Sequence, residues 1–589
     1  MSSRRASAFV LALLGAAALT ACAEAPPSAT VGLRSGQTGA MPSDEALESP
    51  SQGSSVFGLY LAGDAAIDHG ASHEAASYFN QASQLEPGPG PVRGRAFSSA
   101  LVAGEVSKAA EVAQGLGEGD LPVQRLGVLT RAVEAMAQDK GKAAFDLLST
   151  KSTSPDHAQA IKLLTPWAAA AAGDWAAATA DPPAMGDPVA QGVAALGQAE
   201  LLERADKPKP AELVYKAHAG GKDGLFVLGY GAFLERRGRR AEAVGLYDRA
   251  LLQNGPDPAI QAAKARAAAN RPAPPLVEVR EGAAQALVAP AALMLARHEG
   301  DDGLAYLRLA LRLDPALDDG WVLVGDAMGG AGDNAAAREA YLKVKPKSDQ
   351  FLLARTRLAL MAQQDGDKET ALRLARDMLD AAPNDPRALV VYGDLLRDDE
   401  RYVEATEALT RALKNLPESE TNWSLYFQRG SAEERSGHWP EAEADLKLAL
   451  KLKPNEPEVL NYLGYAWADR GQHLKEALGM LEKAAELEPR SGAIVDSLGW
   501  ARYRVHQYQD ALVDLEHAVS LDPADPEVNS HLGDVYWQVG RKLEARFQWK
   551  RVLTLDPDPK LKAGAELRLA KGLPAEEGPA ALAEGAPGP

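Results

Sequence analysis

Two adjacent stretches decide the fold: SLGWARYRVHQYQDALVDLEHAVSLDP (497–523) and HLGDVYWQVGRKLEARFQWKRVLTLDP (531–557). With Ser497 set against His531, they share Leu-Gly near the start, an alanine in the middle and Leu-Asp-Pro at the end. The same marks continue outward. Prolines after an apolar run stand at Pro383, Pro417, Pro454, Pro489, Pro523 and Pro557, an almost even spacing. Pro315 lies two such periods before Pro383, with Asp349 at the middle position. Twelve places before each proline stand Ala371, Ala405, Ala442, Ala477, Ala511 and Ala545. Five places before stand Ala412, Ala449, Ala484 and Ala518, while Met378 and Val552 break the pattern. Glycine recurs at Gly325, Gly393, Gly430, Gly464, Gly499 and Gly533, with larger residues three or four places to either side, a helical spacing.

Small residues at a fixed period mark places where two helices cross too closely for a larger side chain. Proline ends the second helix, because it lacks an N–H and clashes with the preceding turn. One such unit cannot bury its apolar face alone, so neighbours must stack. The pattern resembles the tetratricopeptide repeat (TPR), a helix–turn–helix unit of about 34 residues. It implies an all-α fold, a right-handed α-solenoid of stacked TPR units. GLYLAGDAAIDHGASHEAASYFNQASQLEP (58–87) fits, with Gly63, Ala75, Phe79, Ala82 and Pro87 in place. VLGYGAFLERRGRRAEAVGLYDRALLQNGP (227–256) fits too, with Gly231, Ala243, Tyr247 and Ala250. Residues 90–220 are alanine-rich helical pairs without the full signature. The expected organisation is N-terminal TPR-like repeats over 56–267, a Pro-containing linker over 268–283 and a C-terminal array over 284–559. A capping helix over 560–572 and a disordered tail over 573–589 follow. About eleven or twelve helical pairs are expected in all.

The chain carries 63 Lys and Arg against 81 Asp and Glu, a formal charge of -18. That balance, with no basic stripe, is unfavourable for nucleic acid, whose binding rests on phosphate neutralisation. MSSRR followed by AFVLALLGAAALTA reads as an export signal over residues 1–21, too short an apolar run to span a bilayer comfortably. It ends Leu19-Thr20-Ala21-Cys22, and Cys22 is the single cysteine of 589 residues. The tetrapeptide resembles the lipobox of bacterial lipoproteins, in which the cysteine is lipidated and becomes the new N-terminus. Cys22 is therefore the expected lipidation site, and two or more acyl chains hold a protein stably on a bilayer. Ala23 rather than Asp follows it, which under the sorting rule for such lipoproteins favours the outer membrane facing the periplasm. Residues 22–55, rich in Pro, Ser, Gly and Ala, read as a flexible tether.

No phosphate loop, nucleophile elbow or H-E-x-x-H helix occurs, and Cys22 is already spoken for. His69 and His73 are spaced i,i+4 but fall at a turn with Gly70 between them. His473, His506 and His531 lie in well-formed repeats that do not require histidine, and His506 falls at an interhelical turn. Neither an enzyme site, a metal site nor a cofactor is expected. What remains is binding on the concave face, lined by first helices at repeat positions 2, 5, 9, 12 and 13. The three best repeats place Asn461, Tyr465 and Asp469; Asp496, Trp500, Tyr503 and Arg504; and Ser530, Asp534 and Trp537 there. Trp, Tyr and Arg are the usual hot-spot residues of interfaces. Trp500 and Trp537 are either such anchors or packing between repeats; Trp549 reads as core. These positions hold no lysine cluster, so the groove does not match the TPR carboxylate clamp, and an acidic, aromatic surface suits a neutral or basic segment.

NYLGYAWADRG, IVDSLGW and HLGDVYW, in register across 459–557, resemble a group of exported TPR lipoproteins of Gram-negative bacteria that includes the LbcA type of periplasmic protease adaptor. The resemblance covers roughly residues 385–557. It implies a membrane-anchored scaffold that brings a periplasmic carboxyl-terminal processing protease to its substrates. The alternative is a structural TPR lipoprotein of another envelope assembly, such as outer-membrane protein insertion, pilus or secretion machinery.

Overall fold

A computed structural model describes residues 55–573, apart from 117–120, 151–153, 220–223, 298–299, 415 and 417–418. The export signal, Cys22, the tether up to residue 54, Pro417 and the tail from 574 lie outside the described residues. Among the described residues there are thirty α-helices and no strand, and no helix long and apolar enough to cross a membrane. The fold is an all-α stack of helical hairpins. Two compact units divide between Met361 and Ala362.

Unit 1 opens with α1 (Val56–Asp68), α2 (Ser72–Leu85), α3 (Pro91–Val102), α4 (Val106–Ala113), α5 (Pro122–Ala137), α6 (Gly141–Leu148), α7 (Ala158–Ala171) and α8 (Trp175–Ala178). It continues with α9 (Pro188–Arg204), α10 (Pro208–His218), α11 (Gly224–Arg236), α12 (Arg240–Asn254), α13 (Pro258–Ala268), α14 (Val279–Ala296), α15 (Gly300–Leu313), α16 (Asp318–Gly330) and α17 (Asn334–Leu342). The return helices α4, α6 and α8 have only 8, 8 and 4 residues. Such short helices explain why the stretch 90–220 lacks the full repeat signature.

The proline-containing segment before α14 is pinned rather than loose. Arg204 donates to the Val277 carbonyl at 3.0 Å and Arg236 to the Pro274 carbonyl at 3.1 Å. Helices α14 and α15 then pack back onto α3, α5, α7 and α9. The division into compact units falls after 361. At the seam, a Cβ on Gly282 would stand 2.1 Å from the Trp167 ring, so only glycine lets α14 lie against that buried indole. Arg312 grips Glu134 through two nitrogens at 2.8 and 3.1 Å. His157 Nδ1 lies 2.7 Å from the Tyr306 hydroxyl. The first hairpin joins the same closure: Ser72 N donates to Asp333 at 3.0 Å, and His73 faces Glu339 at 3.6 Å. His69, by contrast, ends α1 and turns its ring to the Ala65 carbonyl.

Helix α18 (Phe351–Gln364) spans the division. Unit 2 follows with α19 (Lys368–Ala381), α20 (Pro386–Asp398), α21 (Tyr402–Lys414), α22 (Trp423–Arg435), α23 (Trp439–Leu452), α24 (Pro457–Arg470) and α25 (Leu474–Leu487). It ends with α26 (Gly492–Arg504), α27 (Tyr508–Leu521), α28 (Pro526–Gln538), α29 (Lys542–Val552) and α30 (Pro559–Lys571). Aspartate before proline starts α20, α28 and α30: Asp525, for example, accepts from Glu527 N at 2.7 Å and Val528 N at 2.9 Å while Pro526 takes the first helical place. The recurrent alanines from Ala371 to Ala545 are fully buried, as are Met378 and Val552 where the pattern breaks. The recurrent glycines sit under the partner helix: a Cβ on Gly499 would meet Leu515 Cγ at 2.6 Å, and one on Gly464 would meet Leu481 Cγ at 2.8 Å. Gly499→Val should therefore lower unit 2 stability by about 2 kcal/mol through overpacking, a loss that the better helix propensity of valine, well under about 1 kcal/mol, does not offset. A shift of the urea midpoint to lower concentration at unchanged slope checks this.

Candidate functional site

The first helices of unit 2's hairpins, α20, α22, α24, α26 and α28, stand side by side along its inner face. A polar cavity of about 830 Å³ opens there. Its walls carry Asp394, Arg397 and Asp398 from α20, and Gln428, Ser431, Glu434 and Arg435 from α22. Tyr462, Tyr465, Asp469 and Arg470 come from α24, Glu527 from α28 and Lys560 from α30. Counting each repeat's glycine as position 8, Asp394, Ser431 and Tyr465 share position 9. Asp398, Arg435 and Asp469 share position 13. Two register positions thus recur down the cavity, joined by Gln428 and Tyr462 at position 6 and Arg397 and Glu434 at position 12.

Its floor is a connected network. Arg397 pairs with Asp394 at 3.0 Å, and Gln428 donates to the other Asp394 oxygen at 3.4 Å. The Tyr462 hydroxyl donates to Glu434 at 3.3 Å, and Arg470 pairs with that same carboxylate. Tyr465 reaches two repeats onward to Glu527 at 2.8 Å. Burial pushes the Asp394 carboxyl up, with Arg397 pulling it back. Burial, with Glu434 and Glu527 beside them, raises the Tyr462 and Tyr465 phenols, so both stay protonated as donors at physiological pH. Gln428 Oε1 has no hydrogen-bond partner among the described residues. Arg435, Asp398, Asp469 and Lys560 stand around the mouth. Arginines are interleaved with the acids, so the surface is mixed in sign rather than acidic.

The ten residues read from the sequence divide into two groups. Tyr465 and Asp469 line the cavity, and Asn461 is half-buried on the same helix, its Oδ1 unpartnered among the described residues. Arg504 lies on the neighbouring helix, donating to the Asp469 carbonyl at 2.6 Å. Four others lie inside the wall rather than on the groove: Asp496 is 5% exposed, Tyr503 5%, Ser530 1% and Asp534 2%. Adjacent first helices pack against one another there, and position 5 of both last repeats, position 12 of the first and position 9 of the second are buried between helices. Asp496 pairs with His531 at 2.9 Å, and Trp500 lies half-buried in a stack between Tyr503 and His531 at 4.9 and 4.2 Å. Asp534 accepts from the Trp549 indole at 2.8 Å and pairs with Arg568 of α30 at 2.9 Å. Trp537 donates to the Leu573 carbonyl at 3.1 Å, and Trp549 is fully buried core. Arg397, Gln428 and Arg435 escape a reading confined to the last three repeats. Arg397 and Arg435 stand at positions 12 and 13, so the register itself is their signal; Gln428, at position 6, lies outside it.

A family model of the tetratricopeptide repeat matches residues 277–556. Residues 277–556 are an array of tetratricopeptide repeats. The TPR repeat-containing protein PA4667 of Pseudomonas aeruginosa is 30% identical over 180 residues, which make up 30% of this chain and 30% of that protein's length. Among solved structures, a tetratricopeptide repeat protein from Parabacteroides merdae ATCC 43184 is similar at 14% identity and TM-score 0.37, covering 42% of this chain and 98% of that one. A chain of the APC/C hetero-tetramer Cut9-Hcn1 is similar at 14% identity and TM-score 0.37, covering 88% of this chain and 97% of that one. The cavity of unit 2 is lined chiefly by residues of these repeats.

Proposed function

We propose that this TPR protein is a lipid-anchored, non-catalytic scaffold of the bacterial envelope, whose unit 2 groove holds an extended segment of a protein partner. The observation that carries the reading is the cavity built from equivalent positions of consecutive first helices, with donors, acceptors and both charges at its mouth. Such a surface suits a polypeptide, whose backbone offers both hydrogen-bond senses along its length. Leu19-Thr20-Ala21-Cys22 supports the anchor, and Ala23 supports the outer membrane. The resemblance over 385–557 supports a carboxyl-terminal processing protease and its substrates as the partners.

The test is capture from an envelope extract by the soluble chain beginning at Ala23. Recovery of a processing protease is expected. Arg397→Glu with Arg435→Glu should lower that recovery at least tenfold at unchanged helicity, because both guanidiniums line the cavity and neither belongs to the apolar core. Recovery of only barrel-assembly or pilus components would reject the adaptor reading and favour the other envelope assembly. The full-length Cys22→Ser protein should leave the membrane fraction; retention after a high-salt wash would reject the lipid anchor.

A further inference from the structure

A second cavity, of about 590 Å³, lies in unit 1 and is built from other elements than the groove of unit 2. The α3–α4 turn, the end of α15, α16 and α17 enclose it. Arg308 of α15 points into it and is 8% exposed. Its Nε donates to the Val102 carbonyl at 3.0 Å. Among the described residues, its two terminal nitrogens have no hydrogen-bond or ion-pair partner. Gly104 clears the space beside them: a Cβ there would stand 3.0 Å from Nη1.

A buried guanidinium normally has a carboxylate against it, because desolvating an unpaired charge is costly. The nearby acids are engaged elsewhere. Asp333 accepts from Ser72 N at 3.0 Å and Ala336 N at 2.9 Å. Glu339 faces His73 at 3.6 Å and Lys343 at 3.4 Å. Asp314 accepts from Ala316 N at 2.9 Å. Burial pulls the Arg308 guanidinium down to about 10, with Glu339 and Asp333 opposing, so it remains charged at neutral pH. Lys345 also lines the cavity and makes no ion pair among the described residues. Asp314, Glu339 and Lys343 line the cavity too, and Ala103, Ala316, Ala336, Ala340 and Trp321, whose indole N–H is already donated to the Pro315 carbonyl at 3.0 Å, form its apolar part.

We infer that this cavity binds an organic carboxylate with a small apolar body, the carboxylate held by the free edge of Arg308 and by Lys345 and the apolar part lying against Trp321. Arginine presents parallel N–H donors that match a carboxylate. A free acid and the C-terminus of a peptide share this chemistry.

Calorimetric titration of the intact protein with 3-methylbutanoate and with N-acetyl-Ala-Ala-Val separates the two sources. Saturable binding of either supports the inference and names the source. The C-terminal amide of the same peptide should bind at least tenfold more weakly than the acid. Arg308→Gln should weaken binding at least tenfold, and Lys345→Ala about threefold. Lys345 is exposed, so its variant keeps the test open if Arg308→Gln fails to fold. Absence of binding by both acids at millimolar concentration would overturn the site. So would equal binding of peptide acid and amide, or a response to inorganic phosphate alone. None of these outcomes bears on the groove of unit 2.

Discussion

Trp549→Ala is expected to cost unit 2 about 4 kcal/mol, because truncating a buried tryptophan forfeits its transfer energy and leaves a cavity, together about 3–5 kcal/mol. The side chain is fully buried. The indole also carries polar structure. Its N–H satisfies Asp534, which is 2% exposed and whose carboxyl burial pushes up. Removing that donor leaves Arg568 alone to hold Asp534, and Arg568 is the tie between the last full hairpin and α30. Trp537, 5.3 Å from Trp549, loses its neighbour as well. In a stacked array the damage is local, because each hairpin contacts chiefly its neighbours. Hydrogen exchange should accelerate first in α28–α30, and the urea midpoint of unit 2 should fall. A loss below about 1 kcal/mol would mean that the site collapses around the truncation rather than keeping a cavity.

The second large effect depends on pH. His531 is buried and its pKa has moved up from 6.5 to about 9: burial alone would lower it, and the Asp496 carboxylate at 2.9 Å more than offsets that. A raised folded-state pKa means that protonation favours the native state. The stabilisation is complete below about pH 6.5 and disappears as pH rises through about 9. A displacement of that size corresponds to about 3 kcal/mol. Asp496→Asn should thus destabilise unit 2 by about 3 kcal/mol at pH 6, a value in line with breaking a buried pair. The difference from the parent should shrink towards zero by about pH 10. Urea midpoints of both proteins between pH 6 and 10 measure it. A difference that stays constant across the range would mean that the imidazole does not carry the pair's charge.

These expectations rest on residues that the sequence places correctly in register but not in environment. The repeat itself was legible because sterics write it: Gly499 under Leu515 and Ala511 within the core admit nothing larger, so the period survives in the letters. The curvature of the stack is not written that way. Whether Asp496 meets solvent or a neighbouring helix depends on how closely adjacent first helices approach on the inner side, and the Tyr465–Glu527 contact shows them drawn close enough to span two repeats. His531 looks dispensable in the repeat framework and proves to be the partner of Asp496. The cavity residues Arg397 and Arg435 were within reach of the same register argument, and Gln428, at position 6, was not. The return of α14 and α15 onto α3–α9 was not, since the fit of Gly282 beneath Trp167 joins residues that no local period relates.

That return gives the two units different kinds of cooperativity. Unit 2 is a linear stack with a terminal hairpin, and a linear stack can fray inward one unit at a time, so its stability is graded along its length. Unit 1 joins its first hairpin to α17 through Ser72–Asp333 and fills its middle with its own helices. Its first hairpin is held at its turn by α17 as well as along its length by α3. Opening that end therefore breaks contacts far apart in the chain at once, and unit 1 is expected to open more cooperatively than unit 2.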